Sequence, residues 1–229
     1  IKEKKDLNYA AYSILDLKNY LEEEFLLKNT STADLLSIYK TLASKSENTA
    51  ADLAIPFQKY IYLLENGFRR GKYIFENRKY AMGNFGVIFK GVDLLSGDKV
   101  ICKRYTSNRE NDIERKRFEI EARTLMNLDI AGIPLAYEYL ADKNEYIADY
   151  MSGQSLTEFI TDNSEREFSW KRDKYLDILI QLADRFDMLT LEDIVHCDIK
   201  PDNIIYDQFS DQVAIVDFGS IQTNNMPGG

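Results

Sequence analysis

The sequence predicts an α+β fold in which a helical N-terminal segment precedes a strand-rich part and a second, mainly helical part. Apolar residues recur at helical spacing through residues 1–70. Short alternating strands follow, with one long amphipathic helix among them. Polar turn residues then separate apolar runs near residues 196–219. We therefore divide the chain at residues 1–70, 71–149 and 150–229.

Three helices are expected in the first segment. Apolar residues at helical spacing between Leu7 and Phe25 predict the first helix. The second follows residues 30–32, where a hydroxyl side chain can cap the helix together with Asp34. The third covers residues 57–64. Short polar connections between these runs favour a small helical bundle or hairpin.

The second and third parts are predicted from alternation and periodicity. Five strands are expected, at Lys72–Glu76, Val87–Asp93, Lys99–Arg104, Leu135–Leu140 and Glu145–Tyr150. The long helix covers roughly Asp112–Leu128, between the third and fourth strands. Helices at Leu156–Thr161 and Lys171–Leu189 lead to the polar region.

Composition narrows the class of protein. The 229 residues carry a net charge of −9, and residues 1–70 contain equal numbers of acidic and basic groups, so residues 71–229 hold the excess. An acidic module argues against general binding to nucleic acid or anionic membranes. No apolar run approaches the length of a membrane span, and the two cysteines do not form a disulfide framework. We expect an intracellular protein, soluble or peripheral, in the cytoplasm or an organelle interior.

The most informative segments read HCDIKPDN and, further along, DFG. Asp198 could accept the proton of an attacking hydroxyl, and Lys200 could offset charge on a transferring phosphate. Asn203 and Asp217 could supply oxygen ligands for Mg²⁺. The alternative is that these polar residues only form turns. Two motifs in the right order, each after an apolar run, favour the chemical interpretation.

These two segments resemble the signature H-R-D-x-K-x-x-N and D-F-G of the protein kinase superfamily. The lysine in the first segment resembles the serine/threonine branch, and Ser220-Ile221-Gln222 is similar to bacterial-type (eukaryote-like) kinases. The resemblance implies a bilobal kinase-like fold, with a five-stranded small lobe containing helix αC, a partial helical large lobe and an N-terminal helical extension. It also implies ATP and Mg²⁺ as cofactors and a protein substrate.

The sequence AMGNFGVI, from Ala81 to Ile88, resembles the glycine-rich loop G-x-G-x-x-G-x-V. Glycines there let the backbone approach the phosphates. Ala81 replaces the first glycine, and a glycine hairpin turn is the alternative for this segment taken alone. The residues that the resemblance assigns to the nucleotide are Gly83, Asn84, Phe85, Gly86 and Ile88.

The sequence VICK resembles the V-A-I-K strand, and the resemblance makes Lys103 the residue that grips the α- and β-phosphates. Ile101 stands where the family usually has alanine against the adenine ring. The partner of Lys103 would come from the helix that resembles αC. Alignment of its apolar positions selects Glu121, with Glu119 as the rival.

The hinge between the lobes resembles residues 146–153 of this chain. The resemblance implies that Asp149 and Met151 offer backbone groups to adenine, with Ala148 as a small gatekeeper. Ile205 would close the adenine site from below.

His196, the only histidine, is expected to be structural, because in the family it packs against the phenylalanine of D-F-G, here Phe218. Cys197 replaces the family's arginine, which normally pairs with a phosphorylated activation loop. A thiol cannot form that bidentate charge pair. We therefore expect activity not to depend on loop phosphorylation through this position.

Three functions compete. The leading one is a serine/threonine kinase that transfers the γ-phosphate of Mg-ATP to protein hydroxyls. The second is a pseudokinase or nucleotide-binding scaffold that docks a protein partner through residues 1–70, and the third is a small-molecule phosphotransferase. Because the resemblance stops after D-F-G, we expect a fragment, the ordered part of a longer kinase or a split kinase, with apolar surface exposed.

Overall fold

The computed structural model contains two compact units, which are treated separately below. The first is formed by residues up to Tyr80 with 89–101, and the second by residues 81–88 with 102–229. The structure describes residues 30–46, 51–83, 86–106 and 112–223. The first predicted helix, Asn84 and Phe85 lie outside these ranges. The three-part division predicted from the sequence stays a prediction.

The first unit opens with two helices, α1 (Thr32–Ser46) and α2 (Ala51–Asn66). The predicted cap of α1 is present: the Ser31 hydroxyl accepts a hydrogen bond from the backbone N–H of Asp34 at 3.1 Å and donates to its carboxylate at 2.6 Å. This satisfies one of the free N–H groups that every helix start leaves. Helix α2 begins six residues before the predicted start at Phe57.

The two helices share a core with the sheet of the same unit. Leu35, Ile38 and Leu42 of α1 are fully buried, in one cluster with Ile74 and Leu94. Those side chains recur every three or four residues, so they form one face of α1. The apolar face of the hairpin is therefore occupied within its own unit.

The main sheet has six strands rather than the five predicted, in the order β1-β2-β3-β4-β6-β5. Their bounds are β1 Phe68–Arg70, β2 Tyr73–Gly83, β3 Gly86–Asp93, β4 Lys99–Tyr105, β5 Ala136–Leu140 and β6 Glu145–Asp149.

The additional strand β1 follows the third predicted helix, at the end of the segment 1–70 that was predicted to be helical as a whole. It pairs antiparallel with β2, with Phe68 opposite Phe75. The Phe68 ring lies 5.3 Å from that of Phe75 and 5.1 Å from that of Phe89, between ring centres. Long-range pairing and aromatic packing stabilise this strand.

The second unit adds the elements that follow β4. Helix α3 ends three residues before the predicted end, and α5 is longer at both ends than predicted. The elements are α3 Asp112–Leu125, β7 Gln154–Ser155, α4 Leu156–Asp162, α5 Phe168–Leu191, β8 Ile194–Val195, β9 Ile204–Asp207, β10 Gln212–Ile215 and β11 Gln222–Thr223.

Two small sheets organise the region after α5. Strands β10, β9 and β7 form one sheet in that order, and β8 pairs antiparallel with β11. Short 3₁₀ turns at Pro201–Asn203 and Phe218–Ser220 occupy the connections. These sheets bring the HCDIKPDN and DFG segments together.

Helix α5 presents an apolar face. Phe168, Leu176 and Leu179 are exposed, and they line a groove of about 600 Å³ together with Ile160 of α4. Among the described residues, no helix has both the length and the apolar character needed to cross a bilayer.

Candidate active site

The second unit contains a buried lysine, Lys103 on β4. Its Nζ donates to Glu121 Oε1 at 2.7 Å and to Asp217 Oδ1 at 2.9 Å, and its side chain is 2% exposed. Burial alone would lower the pKa of Lys103, but the two carboxylates outweigh burial and raise it. Lys103 is therefore a cation held at a defined place between two acids.

Helix α3 supplies Glu121 from its buried face. Phe118, Glu121, Ala122 and Leu125 are all buried and follow the helical repeat. Glu119 points elsewhere, because its carboxylate pairs with Arg123 at 2.8 Å on the exposed side. The structure thus brings Lys103 to Glu121 and not to the rival.

The HCDIKPDN segment forms a second cluster around Asp198. Lys200 Nζ donates to Asp198 Oδ2 at 2.8 Å, and Asn203 Nδ2 donates to the same oxygen at 3.0 Å and to the Asp198 carbonyl at 2.8 Å. The hydrogen bond from Lys200 is the main reason that the pKa of Asp198 lies below its ordinary value. Asp198 is therefore a fully ionised carboxylate at neutral pH.

The backbone ties this cluster to Asp217. The N–H of Val216 donates to the Asn203 carbonyl at 2.9 Å. Asp217 itself has φ of 65°, in the left-handed region that non-glycine residues rarely adopt. Such conformations persist where the surroundings impose them, and they concentrate at functional sites. Here the next residue, Phe218, is fully buried.

The oxygens of this region suit a hard cation. Both N–H groups of the Asn203 amide go to Asp198, so its carbonyl oxygen is the atom left to meet a ligand. Together with the Asp217 carboxylate it offers the oxygen ligands that Mg²⁺ takes when phosphates complete its shell. Within the described ranges, no group of three His, Cys, Asp or Glu side chains forms a metal cluster of protein ligands alone.

His196 joins the two segments and is buried. Its ring packs edge-on against Phe218, with 4.8 Å between ring centres. Its Nε2 lies 3.1 Å from the Val216 carbonyl, and its Nδ1 accepts from the Asp198 N–H at 3.3 Å. These bonds require a neutral ring with the proton on Nε2, and burial lowers the pKa of His196 accordingly. The expected structural contact is present.

Cys197 sits beside this histidine in an exposed position. Its φ of 63° is left-handed, and its Sγ donates to the Val195 carbonyl at 3.4 Å. The consequence drawn from its replacement of arginine stays a prediction.

Gly83 of the glycine-rich segment lies beside the Lys103 cluster. Gly83 ends β2 and Gly86 begins β3. A Cβ added to Gly83 would lie 3.7 Å from Lys103 Cε and 3.9 Å from Asp217 Oδ1, whereas one added to Gly86 would lie 2.3 Å from the Arg104 carbonyl oxygen. The backbone at Gly83 therefore faces the two charged side chains, and Gly86 must be glycine for strand packing.

The remaining predicted nucleotide residues belong to several different elements. Ile88 and Ile205 are half-buried in β3 and β9, and Met151 is half-buried after β6. The N–H of Asp149 donates to the Leu135 carbonyl at 3.0 Å, so its own carbonyl is the backbone group left for a ligand.

Ile101 belongs to the first unit, where it is half-buried on β4. All these assignments to the nucleotide remain predictions.

Sequence reasoning assigned no role to Tyr146 of β6. Its hydroxyl donates to Glu121 Oε1 at 2.9 Å, and the residue is 3% exposed. Strand alternation places it on the same face as Ala148, the predicted gatekeeper. That alternation is the sequence signal that could have indicated a place for Tyr146 in the site.

Comparison with known proteins identifies the family. Residues 76–227 match the protein kinase domain. The chain belongs to the protein kinase family.

Several relatives of this kinase are bacterial. It is 31% identical over 151 residues to a probable serine/threonine-protein kinase of Clostridium acetobutylicum, which covers 63% of this chain and 22% of that protein. It is 30% identical over 156 residues to serine/threonine-protein kinase D of Synechocystis, with 63% and 29% covered.

The similarity also reaches plants. A receptor-like protein kinase of Arabidopsis thaliana is 30% identical over 227 residues, covering 91% of this chain and 25% of that protein. The kinase spans between about a fifth and a third of the length of these relatives. The predicted bacterial-type kinase resemblance is confirmed.

Proposed function

We propose that this kinase transfers the γ-phosphate of ATP to serine or threonine hydroxyls of proteins. The observation that carries the proposal is the pairing of buried Lys103 with Glu121 and Asp217, beside the Asp198 cluster in the same unit. Phosphoryl transfer needs positioned charge more than covalent chemistry, and this arrangement provides it.

Lys103 would hold the α- and β-phosphates. Its charge is maintained by two acids, and Glu121 keeps the side chain extended towards Asp217. A phosphate approaching Gly83 would meet Lys103 Nζ without crossing a side chain at that glycine.

Asp198 would receive the substrate hydroxyl. Because Lys200 lowers its pKa, Asp198 is a weak proton acceptor, suited to orient the hydroxyl and to take its proton late in the reaction. Lys200, held 2.8 Å from Asp198, would stabilise charge on the transferring phosphate.

Asn203 and Asp217 would hold Mg²⁺. When bound, the cation neutralises charge on the phosphates of ATP. The backbone bond between Val216 and Asn203 keeps the two ligand-bearing segments in register.

The nucleotide would lie between two sets of residues. The phosphates would contact the glycine-rich segment, and the adenine would contact the apolar and hinge positions. The small side chain of Ala148 would leave space at the back of the adenine site. The proposed residues are Gly83, Asn84, Phe85, Gly86, Ile88, Ile101, Asp149, Met151 and Ile205.

Protein substrates are favoured by the relatives, whose names describe serine/threonine-protein kinases. Among the described residues of the segment 1–70, the outer surface of α1 and α2 is the part open to a protein partner, because their inner face is buried within the first unit. An intracellular location, soluble or peripheral, is part of the same proposal.

The experiment measures phosphate transfer from labelled Mg-ATP to a serine/threonine peptide library. Asp198→Asn should lower kcat by about a thousand-fold, the range for loss of a positioned acid–base group. Asp202→Asn is the matched control, since Asp202 is an exposed carboxylate in the adjoining turn. It should retain activity.

Nucleotide affinity is measured in parallel by calorimetry, and Asp198→Asn should retain it. Binding of Mg-ATP by the wild type without transfer to any substrate would replace the proposal with a nucleotide-binding scaffold. Transfer to small alcohols but not to peptides would indicate a small-molecule phosphotransferase.

A further inference from the structure

The buried ion pair of the candidate active site includes a third side chain. Tyr146 reaches Glu121 from β6, while Glu121 itself comes from α3. The tyrosine ring packs against Phe118 with 5.2 Å between ring centres, and Lys103 Nζ lies 5.9 Å from the centre of the same ring. Tyr146 therefore contacts both members of the Lys103–Glu121 pair.

The hydrogen bonds of Glu121 are unevenly distributed. Oε1 accepts both from Lys103 Nζ and from the Tyr146 hydroxyl. Oε2 is buried and, among the described residues, has no hydrogen-bond partner. A buried carboxylate needs donors to offset its desolvation. The Tyr146 hydroxyl supplies one of the two donors found among the described residues, and its loss would leave Lys103 as the other.

The Lys103 ammonium group also bonds to a second carboxylate, that of Asp217. Its second bond, to Asp217 Oδ1 at 2.9 Å, is nearly as short as that to Glu121 at 2.7 Å. With two acids attracting one ammonium group, the position of Nζ depends on how firmly each acid is held. Tyr146 holds Glu121 through a direct bond, and so it also influences where Lys103 lies.

We propose that Tyr146 is a positioning residue that orients Glu121, and through it Lys103, for the phosphates of the nucleotide. This inference rests on the proposed function, because it assigns Lys103 to phosphate binding. Tyr146 makes no contact with the reacting atoms in this role. Its action passes through the Glu121 carboxylate.

Two further observations agree with this role. Burial and the nearby Glu121 carboxylate raise the pKa of Tyr146 well above its ordinary value, so the hydroxyl remains a donor throughout the physiological pH range. The bond also joins α3 to β6, so it restrains the helix that carries Glu121 relative to the strand. A phenylalanine would fill the same space without that restraint.

The test is a double-mutant cycle between Tyr146→Phe and Glu121→Gln, measured on the full chain. Mg-ATP affinity is obtained by calorimetry, and kcat and both KM values by phosphate transfer. Tyr39→Phe is the matched control: Tyr39 is a buried tyrosine of the first unit whose hydroxyl bonds to the Leu94 carbonyl at 3.2 Å. Thermal unfolding of every variant reports the structural cost separately.

Tyr146→Phe should lower kcat/KM for ATP about ten-fold, the loss expected for one hydrogen bond to a charged acceptor. KM for the peptide should be unchanged. In the Glu121→Gln background, the same substitution should change kcat/KM less than about two-fold, because the two residues act as one unit. Tyr39→Phe should leave the kinetic constants unchanged even where it lowers the unfolding temperature equally.

Three results would overturn the inference. One is a loss of kcat/KM for ATP in Tyr146→Phe that is equally large in the wild-type and Glu121→Gln backgrounds. Another is a loss of kcat/KM that Tyr39→Phe reproduces. The third is failure of the wild type to bind Mg-ATP, which would overturn the phosphate-binding role as well. If the wild type binds Mg-ATP but transfers no phosphate, the proposed function fails, while the cycle on binding affinity still decides the role of Tyr146.

Discussion

Neutralising Glu121 should have consequences that neutralising Glu119 does not. The two glutamates are separated by one residue on α3, but only Glu121 is buried. The substitutions Glu121→Gln and Glu119→Gln change charge at nearly constant volume, so neither leaves a cavity. Their comparison isolates the buried charge interaction from helix propensity and side-chain size.

The expected losses of folding stability differ several-fold between the two variants. Removing one partner of a buried ion pair costs about 3–5 kcal/mol. Because Lys103 keeps Asp217 at 2.9 Å, we expect the lower end, about 3 kcal/mol. For a chain of this size that lowers the unfolding temperature by about 6–12 °C. Glu119→Gln removes only an exposed pair with Arg123, worth about 0.5 kcal/mol or less.

Differential scanning calorimetry at neutral pH measures both unfolding temperatures, and phosphate transfer measures both activities. Glu121→Gln should also lose at least about a hundred-fold in kcat/KM for ATP, if 3 kcal/mol of positioning is lost. Equal shifts for the two variants would refute the reasoning. So would a Glu121→Gln protein with unchanged stability and activity.

Three further outcomes are expected. Burial lowers the pKa of His196, so below about pH 6.5 the unfolded chain takes up a proton before the folded chain does, and stability should fall as pH drops. His196→Gln should flatten that dependence in unfolding scans, and the single imidazole can be titrated by NMR. Leu42→Ala, in the fully buried face of α1, should destabilise the protein by about 3 kcal/mol, whereas Tyr62→Ala, at a 63% exposed position, should change stability by less than about 0.5 kcal/mol. Gly83→Ala should fold normally, because its methyl would meet only ordinary contacts. It should raise KM for ATP several-fold, because that methyl would face Lys103 and Asp217, where the phosphates are proposed to bind. Gly86→Ala should lower the unfolding temperature, since its methyl would overlap a backbone carbonyl.

The sequence was most informative where the candidate site residues are close together along the chain. The HCDIKPDN segment places Asp198, Lys200 and Asn203 within one short loop, and their bonds form within that loop. The preference for Glu121 over Glu119 came from aligning the apolar positions of this helix with those of the family's helix αC, which is also a local pattern. The helix cap at Ser31 was readable for the same reason.

Sequence reasoning failed where an element depends on a distant partner. Strand β1 follows the third predicted helix, at residues for which no strand was predicted, and it is defined by its pairing with β2. The number of strands in the sheet was therefore underestimated. Local propensity cannot report such pairing, because strand formation depends on neighbours across the sheet.

Tyr146 illustrates the same limit within the site. Its bond to Glu121 joins positions 25 residues apart on a strand and a helix. Alternation indicated the face of the strand, but not which side chain of α3 would lie opposite.

By itself, the sequence determined the family and most of the order of helices and strands, and it predicted candidate residues for the chemistry, because motif spacing and periodicity are local. Tertiary structure alone decided that Lys103 meets Asp217, 114 positions away, and that the Tyr146 hydroxyl bonds to Glu121. It also decided which charges are buried, and hence the pKa directions of Lys103 and His196. These properties depend on the packing of separate elements, which bury groups and set distances that no local pattern specifies.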